Sequence, residues 1–182
     1  DDSLHEPDET VIVTMGTPVN GTAGTTVLHT VTITDNDAAP SVEFTLASQA
    51  TGGENGTATI TAELSATSGF TVTVPFSVNI ASTATGGGTD YSITASPVTI
   101  TAGTTTADII VTIATDFDIE DDETVIVDMG SPINATQGTT ITHTLTITDD
   151  DFAGGTIRTV CGSGGASHTT IQEAIGVASD GD

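Results

Sequence analysis

Basic side chains are almost missing. Arg158 is the single Lys or Arg among 182 residues, against 25 Asp and Glu, and the formal net charge is −24. Such a surface repels phosphate backbones and has no cations with which to release their counterions, so nucleic acid is excluded as a direct partner. An anionic membrane face is disfavoured in the same way unless cations bridge to it. Cysteine occurs once, at Cys161, so no internal disulfide can form, and a single thiol does not decide the redox compartment. No apolar run approaches the ~18 residues that span a bilayer, so direct membrane insertion is not expected. There is no signal-peptide pattern and no initiating Met, and the sequence reads as a segment of something longer. Catalytic constellations are lacking too. No nucleophile has a partner His at readable spacing, and there is no phosphate loop or zinc-ligand spacing, so these residues are not expected to form an enzyme. With no Trp and only 3% aromatics, the core has to come from Val, Ile, Leu and Ala.

What is abundant is threonine and acid. Forty of the 182 residues are Thr, which favours strands over helices. Six of the nine residues from Thr115 to Glu123 are carboxylates, and a second knot follows at Asp149-Asp150-Asp151. Carboxylates ~6 Å apart repel by ~3 kcal/mol per pair at an effective dielectric of ~20. Five gathered together form ten such pairs, which exceeds the ~5–15 kcal/mol that keeps a domain folded. Two readings are therefore open. Either the side chains splay into water as ordinary solubilising turns, or a multivalent cation sits among them. Hard oxygen donors in a flexible loop suit Ca²⁺ best.

The sequence repeats itself. Asp1–Asp37 aligns without gaps on Thr115–Asp151, at an offset of 114 residues, with 23 of 37 positions identical. This divides the chain into the tail of one repeat (1–37), one whole repeat (38–151) and a different piece (152–182). In the tail, Thr10–Met15 and Thr26–Thr34 read as strands. In the whole repeat, seven period-two strands are expected: Ser41–Ser48, Thr57–Ala66, Val72–Val78, Val98–Ile100, Thr105–Thr115, Thr124–Met129 and Thr140–Thr148. Pro75 argues for an edge or a bulge in the third. Turn residues separate them, and the pattern predicts an all-β, antiparallel, Ig-like β-sandwich. His143 falls in register with Ile141, Leu145 and Ile147, as His29 does with Val27, Val31 and Ile33, so a hydrogen-bonded, core-facing His is expected. Asn20-Gly21-Thr22, Asn55-Gly56-Thr57 and Asn134-Ala135-Thr136 are glycosylation sequons.

Five short motifs occur in order across 38–151: Glu54-Asn55-Gly56-Thr57, Gly88-Thr89-Asp90-Tyr91, Ile100-Thr101-Ala102-Gly103, Asp116 through Glu120-x-x-Glu123, and Thr146-Ile147-Thr148-Asp149-Asp150-Asp151. Together they resemble the Calx-β domain, a calcium-binding sandwich of sodium–calcium exchangers and microbial surface proteins. The resemblance implies Ca²⁺ ions at one end of the sandwich, where it meets the next module. It also implies ligand roles for Glu54, Asp90, Asp116, Glu120, Glu123, Asp149, Asp150 and Asp151. Thr115 and Phe117 stand where richer binders have Asp, implying fewer or weaker ions. The partial copy keeps Asp2, Glu6, Glu9, Asp35 and Asp37 but has Asn36, implying a weaker set there.

In the last piece, Thr156–Val160 reads as a strand, and Thr170-Ile171-Gln172-Glu173 is a capping box before an apolar helix face at Ile171, Ala174, Ile175 and Ala178. This resembles the strand-plus-helix cap that opens right-handed parallel β-helices. Three functions are expected in order: a calcium-stiffened spacer or adhesive repeat of an extracellular or cell-surface protein, with neighbouring repeats or surface carbohydrate and protein as partners; the non-catalytic arm of a carbohydrate-active β-helix protein; and a filament subunit, in which other copies complete the 1–37 hairpin by strand addition.

Overall fold

The computed structural model describes residues 2–116 and 119–151. The expected strand and helix of 156–178, together with Cys161, lie outside those residues.

The strands follow the alternation of apolar and polar residues. β1 (Glu9–Thr14) and β2 (Leu28–Ile33) form an antiparallel hairpin of their own, with Glu9 opposite Ile33 and Thr14 opposite Leu28. Next come β3 (Ser41–Phe44), β4 (Ser48–Ala50), β5 (Thr57–Leu64), β6 (Val72–Val74), β7 (Phe76–Val78), β8 (Tyr91–Ile93) and β9 (Val98–Ile100). The last four are β10 (Thr106–Ile113), β11 (Glu123–Met129), β12 (Thr136–Gln137) and β13 (Thr142–Ile147). One sheet runs β12-β3-β5-β10-β8, a second runs β4-β13-β11-β7, and β6 pairs with β9. There is no helix among the described residues.

Side chains two apart on a strand share a face. Ile60, Ala62 and Leu64 of β5 and Ile109, Val111 and Ile113 of β10 therefore point inward together, and all are buried. Val125, Val127 and Met129 of β11 and Leu145 and Ile147 of β13 close the core from the other sheet. His143 joins them at 1% exposure. Its Nδ1–H donates to the Leu46 carbonyl at 2.7 Å, and its ring stands edge-on to Phe44 with centroids 6.3 Å apart. A backbone acceptor thus satisfies one ring nitrogen, while Nε2 is buried without a hydrogen-bond partner.

The strand count and the pairing both differ from expectation. Residues 41–147 form eleven shorter strands rather than seven, and two of the pairings, β12 with β3 and β13 with β4, are parallel. The expected strand Ser41–Ser48 is two strands, because the chain crosses from one sheet to the other between them. β3 pairs with β5, whereas β4 lies beside β13. Leu46, which alternates with polar residues in the same run as Val42 and Phe44, sits at the crossing and is 55% exposed. The expected strand Val72–Val78 is divided by Pro75, which has no N–H for a ladder. Before it, β6 pairs with β9; after it, β7 is the edge partner of β11. β8 follows the Gly-rich loop and is too short to show a period.

The hairpin is the second finding that alternation alone does not convey. Every residue of β1 and β2 is exposed. Val31 is 46% exposed, yet its counterpart 114 residues on, Leu145, is 0% exposed. His29, the counterpart of His143, is exposed as well. The same sequence pattern is buried in one place and bare in the other, because burial depends on a facing sheet.

Candidate metal centre

The strand registers bring the acidic segments to one pole. Thr57, at the start of β5, pairs with Thr112 near the end of β10, and Ile113 pairs with Tyr91 at the start of β8. In the other sheet Glu123, at the start of β11, pairs with Ile147 at the end of β13, and Thr146 pairs with Ala50 at the end of β4. The turn before β5 carries Glu54, the residue before β8 is Asp90, and β10 is followed by Asp116. Glu120 and Glu123 lead into β11, and Asp149–Asp151 follow β13. Backbone bonds lock these ends together: Ile113 N–H to the Gly56 carbonyl at 3.0 Å, and Ala114 N–H to the Asp90 carbonyl at 2.8 Å.

Five of the eight predicted residues fall into two overlapping groups. Glu54, Asp116 and Glu120 each present an oxygen within 4.8 Å of the others, and so do Glu54, Asp149 and Asp151. Glu54 belongs to both groups and is 5% exposed. Its Oε2 is buried without a hydrogen-bond partner, as is Oε2 of Glu123. Burial pushes the Glu54 carboxyl up to about 7, reinforced by the charges of Asp116, Glu120, Asp149 and Asp151. Glu123 is likewise pushed up to about 7, first by burial, then by a hydrogen bond to Asp90 and the charges of Asp90, Glu120 and Glu54.

Asp90 and Asp150 are used differently. Asp90 faces Glu123, and its carboxylate also accepts the Thr85 N–H. Asp150 accepts the Glu54 N–H at 3.2 Å, and its carboxylate occupies the space a Cβ on Gly53 would need. A side chain at Gly53, whose φ is +156°, would displace it. Asp150 thus positions the turn that presents Glu54. The residue that sequence reasoning missed is Asp122, whose Oδ1 accepts the Asp149 N–H at 3.2 Å and ties the two acidic segments together. Its place beside Glu123 in an unbroken acidic run was the available signal.

In the partial copy, Asp2, Glu6, Glu9, Asp35 and Asp37 line one shallow pocket at the base of the hairpin. The Glu6 carboxyl is held above its ordinary range by desolvation first and then by the neighbouring charges of Asp2, Glu9, Asp35 and Asp37. Asp35 also accepts from His5 Nδ1 at 3.1 Å.

A model of the Calx-beta domain matches residues 35–151. The chain belongs to the Calx-beta family. Among solved structures, CBD12 from CALX1.2 superposes with a TM-score of 0.55 at 19% identity, covering 62% of this chain and 45% of that one. The apo-form Calx CBD1 domain does so with a TM-score of 0.55 at 16% identity, covering 63% of this chain and 100% of that one. The calcium binding domain CBD12 of CALX1.1 gives 0.54 at 18% identity, covering 62% and 47%. The chain therefore spans less than half the length of the two CBD12 chains, and at these identities the likeness is one of fold. No curated protein matches by sequence. Calx-beta domains bind Ca²⁺, and the carboxylate groups at this pole suit that ion. The donors are hard oxygens presented at strand ends, and Oε2 of Glu54 and Oε2 of Glu123 are buried without a hydrogen-bond partner.

The raised carboxyls of this Calx-beta domain give the calcium-free protein a defined pH dependence. An acid whose folded pKa lies above its unfolded value holds an extra proton in the folded state. Its stabilising effect is complete below the ordinary value of 4.5 and is lost as pH rises through about 7. In chelator, the melting temperature is expected to fall by on the order of 5–10 °C between pH 5.5 and 8. Calorimetry on Glu54→Gln combined with Glu123→Gln should give a flatter profile. An equally steep profile in the double variant would assign the dependence to other groups.

Proposed function

We propose that this chain is a non-enzymatic calcium-binding structural module of an extracellular or cell-surface protein. In this reading Ca²⁺ neutralises the acidic pole and stiffens the junction with the next module. Glu54, Asp116, Glu120, Glu123, Asp149 and Asp151 supply the oxygens, with Asp90 and Asp150 orienting them. The observation that carries this is Glu54: a carboxylate 5% exposed, shared between two groups of acids, with one oxygen lacking any hydrogen-bond donor. Burying an unpaired charge costs several kcal/mol, about as much as a small domain can spare. A divalent cation removes that cost; a solvated turn would not bury the group in the first place.

The arrangement of repeats supports the spacer role. The base of the hairpin, with its own acids, meets the pole of the sandwich opposite to the Glu54 pole, so the two acidic poles follow each other head to tail. Nothing in this design requires chemistry on a substrate.

Titration calorimetry tests the reading. The full chain is expected to bind Ca²⁺ with saturable heat and not to respond comparably to Mg²⁺, whose octahedral demand the spread-out groups do not meet. Glu54→Gln should weaken the affinity at least tenfold. No heat from Ca²⁺ at millimolar concentration would refute the proposal.

A further inference from the structure

The first repeat meets the second through a built contact, not a bare linker. The His5 carbonyl accepts the Gly69 N–H at 2.8 Å and the Ser68 hydroxyl at 3.3 Å. His5 and Ser68 form a parallel β-bridge. The His5 ring lies 4.9 Å from the Phe70 ring, and its Nδ1–H donates at 3.1 Å to Asp35, two residues past β2. Ser68 is 1% exposed, its oxygen accepts the Phe70 N–H at 3.1 Å, and its carbonyl accepts from Gly103 at 2.9 Å. The turn 68–70 is thus fastened to its own sandwich on one side and to the preceding repeat on the other.

Gly69 shows how close the approach is. The three atoms nearest to a Cβ built there all belong to the preceding repeat: Glu6 Cβ at 2.6 Å, Glu6 Cα at 3.2 Å and the His5 carbonyl oxygen at 3.3 Å. No φ in the left-handed region calls for glycine at this position. What a side chain would meet first is the other repeat.

We infer that the turn Ser68-Gly69-Phe70 is a docking socket for the acidic-loop segment of the preceding repeat, with His5 as the plug, and that this contact sets the angle between successive repeats. The inference rests on the head-to-tail array proposed above, but the contact itself is made by backbone, hydroxyl and ring groups and does not pass through a cation. His5 bridges the hairpin's own Asp35 to the socket, so the plug is oriented from the hairpin side and received from the sandwich side. The counterpart of His5 one repeat later is Ile119, which is 55% exposed and has no ring nitrogen to offer Asp149. The plug is therefore particular to this junction.

Residual dipolar couplings on the full chain test this. In the parent protein the amides of β1 and β2 and those of β3–β13 are expected to fit one alignment tensor. Gly69→Val should lower the hairpin's tensor magnitude at least twofold relative to the sandwich, and His5→Ala should lower it by a smaller amount. The melting transition of the sandwich should stay unchanged in both. If Gly69→Val disturbs the turn itself, His5→Ala, which lies outside the sandwich, still decides the matter. Each measurement is made in chelator and in Ca²⁺. Variants that loosen the hairpin in both conditions support the socket, even if Ca²⁺ proves to have no effect. A hairpin that aligns with the sandwich equally well in all variants overturns the socket. Stiffening by Ca²⁺ alone, indifferent to both substitutions, also overturns it and leaves the calcium reading standing.

Discussion

Calcium added to the chelated protein is expected to raise its melting temperature by about 10 °C or more. Ligand at a hundredfold excess over its dissociation constant stabilises the folded state by ~2.7 kcal/mol per site, and each kcal/mol moves the midpoint of a domain this size by roughly 4–8 °C. A second effect acts in the same direction. Without the ion, Glu54 and Glu123 stay folded at neutral pH at the expense of taking up protons, since burial and neighbouring acids push both carboxyls up to about 7. Ca²⁺ replaces those protons, so its stabilisation should grow as pH rises from 6 to 8, where competition from protons fades. Scanning calorimetry with and without EDTA at the two pH values measures both. A melting curve indifferent to chelation would mean that the acids are content with water, despite the burial of Glu54. A calcium effect that shrinks with pH would mean that the ion binds elsewhere than among the raised carboxyls.

The second large effect is a contrast between two residues that are equivalent in the repeat. Leu145→Ala, in the sealed core between the sheets, should cost ~2–5 kcal/mol, because it removes apolar contacts and leaves a cavity. Val31→Ala, 114 positions earlier in the same motif, should leave the melting of the sandwich within ~0.5 kcal/mol, since it is 46% exposed on a hairpin with its own pairing. Thermal unfolding of the two variants reads this directly. Light scattering on the same samples addresses the filament reading. If another copy covers the hairpin by strand addition, the parent protein should run larger than a monomer, and Val31→Ala should lower the mass. A monomeric parent protein removes that reading. A large loss of sandwich stability in Val31→Ala would show that the hairpin face is a working part of the core.

Much of the site was legible because carboxylates repel and because the repeat marked its own limits. Glu120 stands before one strand, Glu123 is its first residue, and Asp149–Asp151 follow the next strand. Antiparallel neighbours bring such ends together, and the Glu123–Ile147 pairing follows that logic. Division of labour within the set was not legible. Glu54 and Asp150 are 96 residues apart, and that one is buried among acids while the other holds a backbone N–H is decided by how the turn at Gly53 folds against the end of β13. Asp122 joins the set only through its bond to the Asp149 N–H, a contact between segments 27 residues apart.

The amino-acid order by itself determined the all-β class, the 114-residue repeat, the inward faces of β5, β10, β11 and β13, and the gathering of acids near strand ends. These follow from local rules: alternation at period two, the strand preference of Thr, and charge. Tertiary structure alone decided that Leu46 leaves the core where the chain changes sheets, that Pro75 divides one strand between two partners, and that the β1–β2 hairpin stays bare while its copy is sealed. Each of those outcomes depends on which surface faces the segment in space, and a side-chain pattern specifies a face without specifying what will cover it.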